Sequence, residues 1–316
     1  SYSWGAGLSR HPSHPGVSSG RTLPSARSAG TDGTAENCSG SPGEALQPGE
    51  LVGIERRAAH QGPVDLGHGH ELLDVPGLHA AAVLDAHGVR GLGTVEVAQG
   101  AAEWAAGHGL KVVYNNKYPD TATDVSSIIS AVKAANPDII LNAGHLNDAL
   151  LVHKGLKEQN VLAKIYGYSV GPDTPDFTNS LGKDANDVFG GAQWSDAVKY
   201  KADPGFYRDA KDYAKAFEAM FHHRPDYHNA ESSATCLAFQ YAIQAAGSLE
   251  PEKVRDALAK LDKTTFFGII KFDSRGINVY KPMVVNQIQS GKLVTVYPPG
   301  LAEAKVKYTA PLWGQR

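Results

Sequence analysis

Three short clusters hold the residues whose types could do chemistry: Asn142-Ala143-Gly144-His145, Gly167-Tyr168-Ser169 and Gln193-Trp194-Ser195. Gly167-Tyr168-Ser169-Val170-Gly171 matches G-x-S-x-G, the pattern of a nucleophile elbow. An elbow needs a strand before the serine and a helix starting right after it, so that the hydroxyl is exposed and backbone N–H groups can hold an oxyanion. Pro172-Asp173-Thr174-Pro175 argues against a helix at that point, and no spacing ties His222, His223 or His228 to Ser169. A tight turn at a strand end is the preferred reading, with a serine hydrolase using Ser169 kept as an alternative. Metal chemistry is not expected. His222 and His223 would point about 100° apart on a helix, with no carboxylate at ligand spacing. His68, His70 and His79 lie where no predicted element would hold them. Cys38 and Cys236 are far apart and say nothing firm about redox compartment. No cofactor is expected either.

The elements that must position these clusters are short apolar strands at 111–115, 137–142, 164–168 and 188–194. In 124–135, Val125, Ile128, Ile129 and Val132 recur at i, i+3, i+4 and i+7, the spacing of one helical face, and Asn136-Pro137 stops that helix. In 146–159, Ala149, Leu150, Val152 and Leu156 form a second such face. Continuous apolar strands alternating with helices imply a parallel sheet covered on both sides, with ligands bound beyond the carboxyl ends of the strands. Upstream, Val97, Ala101, Trp104 and Ala105 mark one more helix.

Downstream the pattern changes. Phe206, Ala210, Tyr213, Ala214, Phe217, Met220 and Phe221 form a helical stripe, and residues 229–246 and a segment begun by Pro251 predict two more helices. Glu231 falls in the first turn of the former, where the helix dipole favours a carboxylate. Residues 264–272, 282–289 and 293–297 then read as strands joined by tight turns, with Ser290-Gly291 as a hairpin signal.

Composition divides the chain. All 19 lysines fall from Lys111 onward, while residues 1–110 contain no Lys, Phe or Met and hold 20 of the 34 glycines. Residues 9–48 show neither helical nor strand periodicity and are expected to be disordered. The Ala/Gly/Pro/Arg/His mixture of the first 94 residues also fits G+C-rich DNA read out of frame. The net charge of -3 disfavours a nucleic-acid partner, and no apolar run reaches the roughly 20 residues of a membrane-spanning helix. The first residues carry no charged-then-apolar export signal.

Several stretches together carry a resemblance: Ala134-Asn-Pro-Asp-Ile-Ile-Leu141, Tyr227-His-Asn-Ala-Glu231, Thr265-Phe-Phe-Gly268, Phe272-Asp-Ser-Arg-Gly276 and Lys281-Pro-Met-Val-Val-Asn-Gln287. In order and spacing they resemble the solute-binding proteins of branched-chain-amino-acid-type ABC transporters, from about Val95 to Pro298. The resemblance implies an α/β fold of the type I periplasmic binding class, two parallel-sheet lobes joined by hinge crossovers, with the N-terminal lobe incomplete or unrecognisable. It divides the chain into an unassigned segment (1–94), a second α/β lobe (95–225), helices returning to the first lobe (226–262) and final crossover strands with a tail (263–316).

The same resemblance implies a non-enzymatic, monomeric protein, periplasmic or extracellular, that binds an amino acid or similar polar or aromatic solute and delivers it to a membrane permease. A ligand-sensing domain of the same fold is the other alternative. Carried over by position, the ligand contacts are Asn142, His145, Tyr168, Ser169 and Trp194, with Asp173, Asp196 or Glu231 available to a ligand ammonium. Trp194→Ala is then expected to weaken binding by about 1–3 kcal/mol, the effect of losing one aromatic anchor.

Overall fold

The structure, a computed structural model, describes residues 78–87, 92–203, 205–278 and 280–316. The expectations about residues 9–48, Cys38, His68 and His70 lie outside the described residues.

The strands are β1 (Ala80–His87), β2 (Lys111–Pro119), β3 (Ile139–Ala143), β4 (Ile165–Tyr168), β5 (Val188–Ala192), β6 (Asp262–Thr265), β7 (Gly268–Lys271), β8 (Val284–Gln289) and β9 (Lys292–Tyr297). Seven of them form one sheet in the order β2-β1-β3-β4-β5-β8-β9. The first five of that order run parallel, and β8 and β9 are antiparallel. The helices are α1 (Leu92–Gly107), α2 (Ser126–Ala135), α3 (Leu146–Glu158), α4 (Pro175–Leu181), α5 (Ala210–Phe221), α6 (Tyr227–Ala246) and α7 (Pro251–Ala259).

Strand alternation explains why both faces of the sheet are covered. On β1, Ala82, Leu84 and Ala86 join a core with Ile129 and Val132 of α2 and Ala149, Val152 and Leu156 of α3. Ala81 packs the other way with Ala105, Leu110 and Ile139, and Val83 with Ala98 and Ala143. Each fully buried Leu, Ile or Val contributes about 1.5–3 kcal/mol. Asn136, left-handed at φ 47°, ends α2, with its N–H bonded back to the carbonyls of Val132 and Lys133. The C-terminal tail straps this core: Trp313 Nε1 donates to Val161 O (2.7 Å), and the Arg316 guanidinium lies over the rings of Trp313 and Tyr166.

Four sequence expectations change here. Strand β1 and the start of α1 lie within residues 1–94, where the sequence pattern predicts no element. The strand reads AAAVLDAH, and four alanines in eight residues carry little of the β-branched signal that marks a strand. On α1, Ala98 and Ala105 face inward while Val97 is exposed. Residues 264–272 are not one strand but the hairpin β6–β7, turned at Phe266-Phe267, where Thr265 Oγ1 accepts from Phe267 N and donates to Gly268 O. Of the predicted stripe, Ala210, Tyr213 and Ala214 of α5 are buried, but Met220 and Phe221 are exposed, as is Phe206, which precedes the helix.

A second apolar cluster joins α5, α6 and the β6–β7 hairpin. Its centre is aromatic. Tyr213 stacks on Phe266 at 4.0 Å between centroids, and Trp194 meets both edge-on.

Candidate functional site

The carboxyl edge of the parallel strands is built from polar groups that lock neighbouring loops together. Ser169, just beyond β4, places its Oγ between the backbone groups of Gly144, accepting from Gly144 N (3.0 Å) and donating to Gly144 O (2.9 Å). One side chain thus ties the loop after β4 to the loop after β3. Asn142 Nδ2 donates to the Tyr118 hydroxyl at the end of β2 (2.7 Å), and burial pushes that phenol well above its ordinary range. His145 is the N-cap residue of α3, and its backbone N donates to Asp148 Oδ2 (2.9 Å). Beneath them the Asp85 carboxylate is buried, with Lys117 3.9 Å from Oδ2.

The six candidate residues take different positions. Asn142, Tyr168 and Ser169 line a cavity of about 220 Å³, together with Phe189, Gly190 and Val285. Trp194 lines a second cavity of about 500 Å³. His145 is exposed and Glu231 half-buried, and neither lines either cavity. The Tyr168 ring belongs to the core beneath α3, with its hydroxyl against His153 Nδ1 at 2.7 Å. Trp194 Nε1 donates to Phe266 O (3.1 Å). Glu231 does not lie in a first helical turn. Helix α6 begins four residues earlier, capped by Asp226, whose Oδ1 accepts from Asn229 N while Asn229 Oδ1 accepts from Asp226 N.

Ser169 is followed by bends and turns, and α4 begins at Pro175, so its hydroxyl faces backbone partners rather than an imidazole. Asp196 is ion-paired with Arg224 (2.6 Å). Among the described residues no three His, Cys, Asp or Glu side chains gather at metal-ligand spacing.

The structure joins one carboxylate of the sequence reading to polar residues that the reading did not single out. Asp173, one of three carboxylates left open for an ammonium, is buried on the 500 Å³ cavity and accepts from Asn286 Nδ2 (2.5 Å). Asn286 Oδ1 accepts from Thr295 Oγ1, which also bonds Ser195 Oγ. Burial raises the Asp173 carboxyl to about 6 against the opposing Asn286 bond, and the nearby Asp226 charge adds to the rise. Tyr118, Asp148 and Lys281 were likewise not singled out. The available signal for Tyr118 and Asp148 was position alone, a phenol closing a strand and a carboxylate in the first turn of the next helix.

A mixed α/β sheet, mostly parallel, with polar loops clamped along its carboxyl edge, has the architecture in which open α/β sheets bind ligands beyond their strand ends. The sequence profile described as periplasmic binding protein matches residues 79–292, and the chain belongs to that family. Among curated proteins it is 28% identical over 211 residues to the Leu/Ile/Val-binding protein homolog 8 of Brucella abortus, covering 63% of this chain and 50% of that protein. It is 25% identical over 209 residues to homolog 7 of Brucella suis, covering 63% and 51%. The chain therefore spans about half the length of the curated relatives it matches.

Among solved structures, the leucine-binding protein LivK of Thermotoga maritima superposes with a TM-score of 0.61 at 18% identity, over 75% of this chain and 63% of that one. The branched-chain amino acid transporter substrate-binding protein LivJ of Streptococcus pneumoniae, solved in complex with isoleucine, gives 0.56 at 18% identity, over 73% and 60%. These likenesses share the fold of this chain. No helix among the described residues is long and apolar enough to cross a membrane.

Proposed function

We propose that this chain is the solute-binding component of an ABC importer. It captures an amino acid or a related small polar or aromatic solute at the carboxyl edge of its sheet and hands it to a membrane permease, working as a monomer on the periplasmic or extracellular side. The observation that carries this reading is the match of residues 79–292 to the periplasmic binding protein family. The names of its relatives, Leu/Ile/Val-binding homologues and an isoleucine complex, point to the solute class.

In this reading the solute-binding surface is the 220 Å³ cavity lined by Asn142, Tyr168 and Ser169, while Trp194 lines the other cavity and His145 and Glu231 line neither. The protein acts by binding alone and makes or breaks no covalent bond. The clamp of Ser169 on Gly144 suits that role, because a hydroxyl that donates to a backbone carbonyl holds a loop in place rather than attacking a substrate. Binding to the folded state raises its melting temperature by mass action. A thermal-shift screen of the full chain against amino acids, amides and aromatic acids is expected to find a stabilising solute, and a flat response across all three classes would overturn the reading.

A further inference from the structure

The 500 Å³ cavity shares no lining residue with the 220 Å³ cavity, and one wall of it is a chain of hydrogen bonds whose direction follows from counting protons. Asn286 Nδ2 donates to Asp173 Oδ1, and Asn286 Oδ1 accepts from Thr295 Oγ1 (2.8 Å). A carboxamide oxygen only accepts, so the single proton of the Thr295 hydroxyl is spent there. The contact between Thr295 Oγ1 and Ser195 Oγ (2.7 Å) must then take its proton from Ser195. Glu303 Oε2 accepts from Thr295 N (3.0 Å). Both hydroxyl protons of the chain are thus consumed within it. What it leaves to the cavity, the Asp173 and Glu303 carboxylates and Ser195 Oγ, accepts.

Asp173 has the strongest need of a partner. Its side chain stands in the cavity wall, the residue is only 5% exposed, and its Oδ2 is buried with no hydrogen bond among the described residues. A buried ionised oxygen left in this way costs free energy that a bound donor returns. Burial and the charge of Asp226 raise the carboxyl to about 6, a rise that a cation beside it would reverse. Arg224, on the same lining, is committed to Asp196 (2.6 Å), and Lys292 is exposed at the start of β9. Asp196 and Arg224 cancel in their pair, and Asp173, Asp226 and Glu303 outweigh Lys292 on the rest of the lining, which disfavours a ligand carboxylate. Among the described residues no three side chains gather at metal-ligand spacing, so the cavity suits a cation that brings its own N–H groups. Pro172, Pro225, Leu293 and Tyr227 add apolar wall for a compact hydrocarbon body.

We propose that the 500 Å³ cavity is a second binding site, for an organic cation that carries N–H donors and no carboxylate, such as a primary ammonium or an amidinium, held through its N–H groups by the Asp173 carboxylate. The site uses none of the residues that line the solute cavity and stands whether or not an amino acid binds there.

The test is calorimetry on the full chain at pH 7 with four compounds of similar size. Benzylamine and benzamidine carry N–H donors on a charged head, benzyl alcohol is neutral, and benzyltrimethylammonium is charged but has no N–H. The first two are expected to bind at least tenfold more tightly than the last two, as a charge-assisted hydrogen bond to a buried carboxylate requires. Asp173→Asn keeps the shape of the side chain and removes its charge, and should lose at least tenfold in benzylamine affinity, with urea unfolding confirming that the variant is folded. Benzyl alcohol or benzyltrimethylammonium binding as tightly as benzylamine overturns the site with no variant needed. So does a folded Asp173→Asn protein of parental benzylamine affinity, and so does the absence of binding by both benzylamine and benzamidine at millimolar concentration.

Discussion

The hydroxyl of Tyr168 and Nδ1 of His153 stand 2.7 Å apart in the core, and the other imidazole nitrogen, Nε2, lies 2.9 Å from Asp184 O. A carbonyl only accepts, so Nε2 carries the ring proton, Nδ1 accepts, and the Tyr168 hydroxyl donates. His153 is buried, and burial holds its imidazole neutral by lowering it to about 4. Tyr168→Phe would leave a buried acceptor without its donor, at a cost of about 1–3 kcal/mol. Urea unfolding at pH 7 measures this, and a midpoint equal to that of the parent would show that the bond contributes nothing.

His153 and Asp173 predict opposite acid responses. His153 binds a proton near 6.5 when unfolded and near 4 when folded, so its contribution is complete above pH 6.5 and is lost as pH falls toward 4, by about 3 kcal/mol. Asp173 is the reverse. It ionises near 3.8 unfolded and near 6 folded, so it favours the folded state at low pH and costs a similar about 3 kcal/mol once pH rises past 6. Between pH 4 and 6 the two nearly cancel in the parent. Relative to the parent, Asp173→Asn should lose stability as pH falls through that window, and His153→Gln should gain it. Unfolding free energies at half-unit intervals from pH 4 to 7 check both slopes. Parallel profiles for the two variants would refute the assignment.

What the sequence made legible followed from how local each signal was. Helices α2 and α3 and strands β2 to β5 could be read because their apolar spacing is complete within each segment. Strand β1 could not, because its alanines become a strand only between β2 and β3. The carboxyl-edge loops were legible from position, since Asn142, His145 and Ser169 end or follow strands. The environments of Tyr168 and Trp194 were not, because an aromatic residue at a strand end can turn to either side of the sheet, and here the contacts that fix each ring come from distant elements. Asp173 depends on Asn286, 113 residues away, and Lys281 packs over Phe267, at the turn of a hairpin whose sequence pattern is that of a single strand.

Gly190 of β5 lies directly beneath the Asp173 carboxylate. A Cβ there would fall 2.3 Å from Asp173 Oδ2 and 3.0 Å from Pro172 Cβ. Because the carboxylate is buried and hydrogen-bonded to Asn286, it has little room to yield, and Gly190→Ala should cost about 1–3 kcal/mol. Removing the obstructing group should return part of this. In a double-mutant cycle with Asp173→Ala, the coupling is expected at about 0.5–3 kcal/mol, and strict additivity would mean that the strain comes from elsewhere.

Trp194 was expected from the sequence as a ligand contact, with its loss felt in affinity. In the structure it is also a packing residue, only 2% exposed, edge-on to Tyr213 and Phe266 and hydrogen-bonded to Phe266 O. Trp194→Ala should therefore cost about 3–5 kcal/mol of stability before any ligand is added, because it opens a large cavity and strands a buried carbonyl. Trp194→Phe keeps a ring in the cluster and gives up the N–H bond, so it should cost less. Stability and affinity, measured separately on both variants, distinguish the two roles. A purely structural Trp194 gives a Phe variant that is less stable but binds with parental affinity at a temperature where it is fully folded. A ligand-contacting Trp194 gives a Phe variant whose affinity falls even when folding is complete, because the ring edge that meets the solute has changed shape.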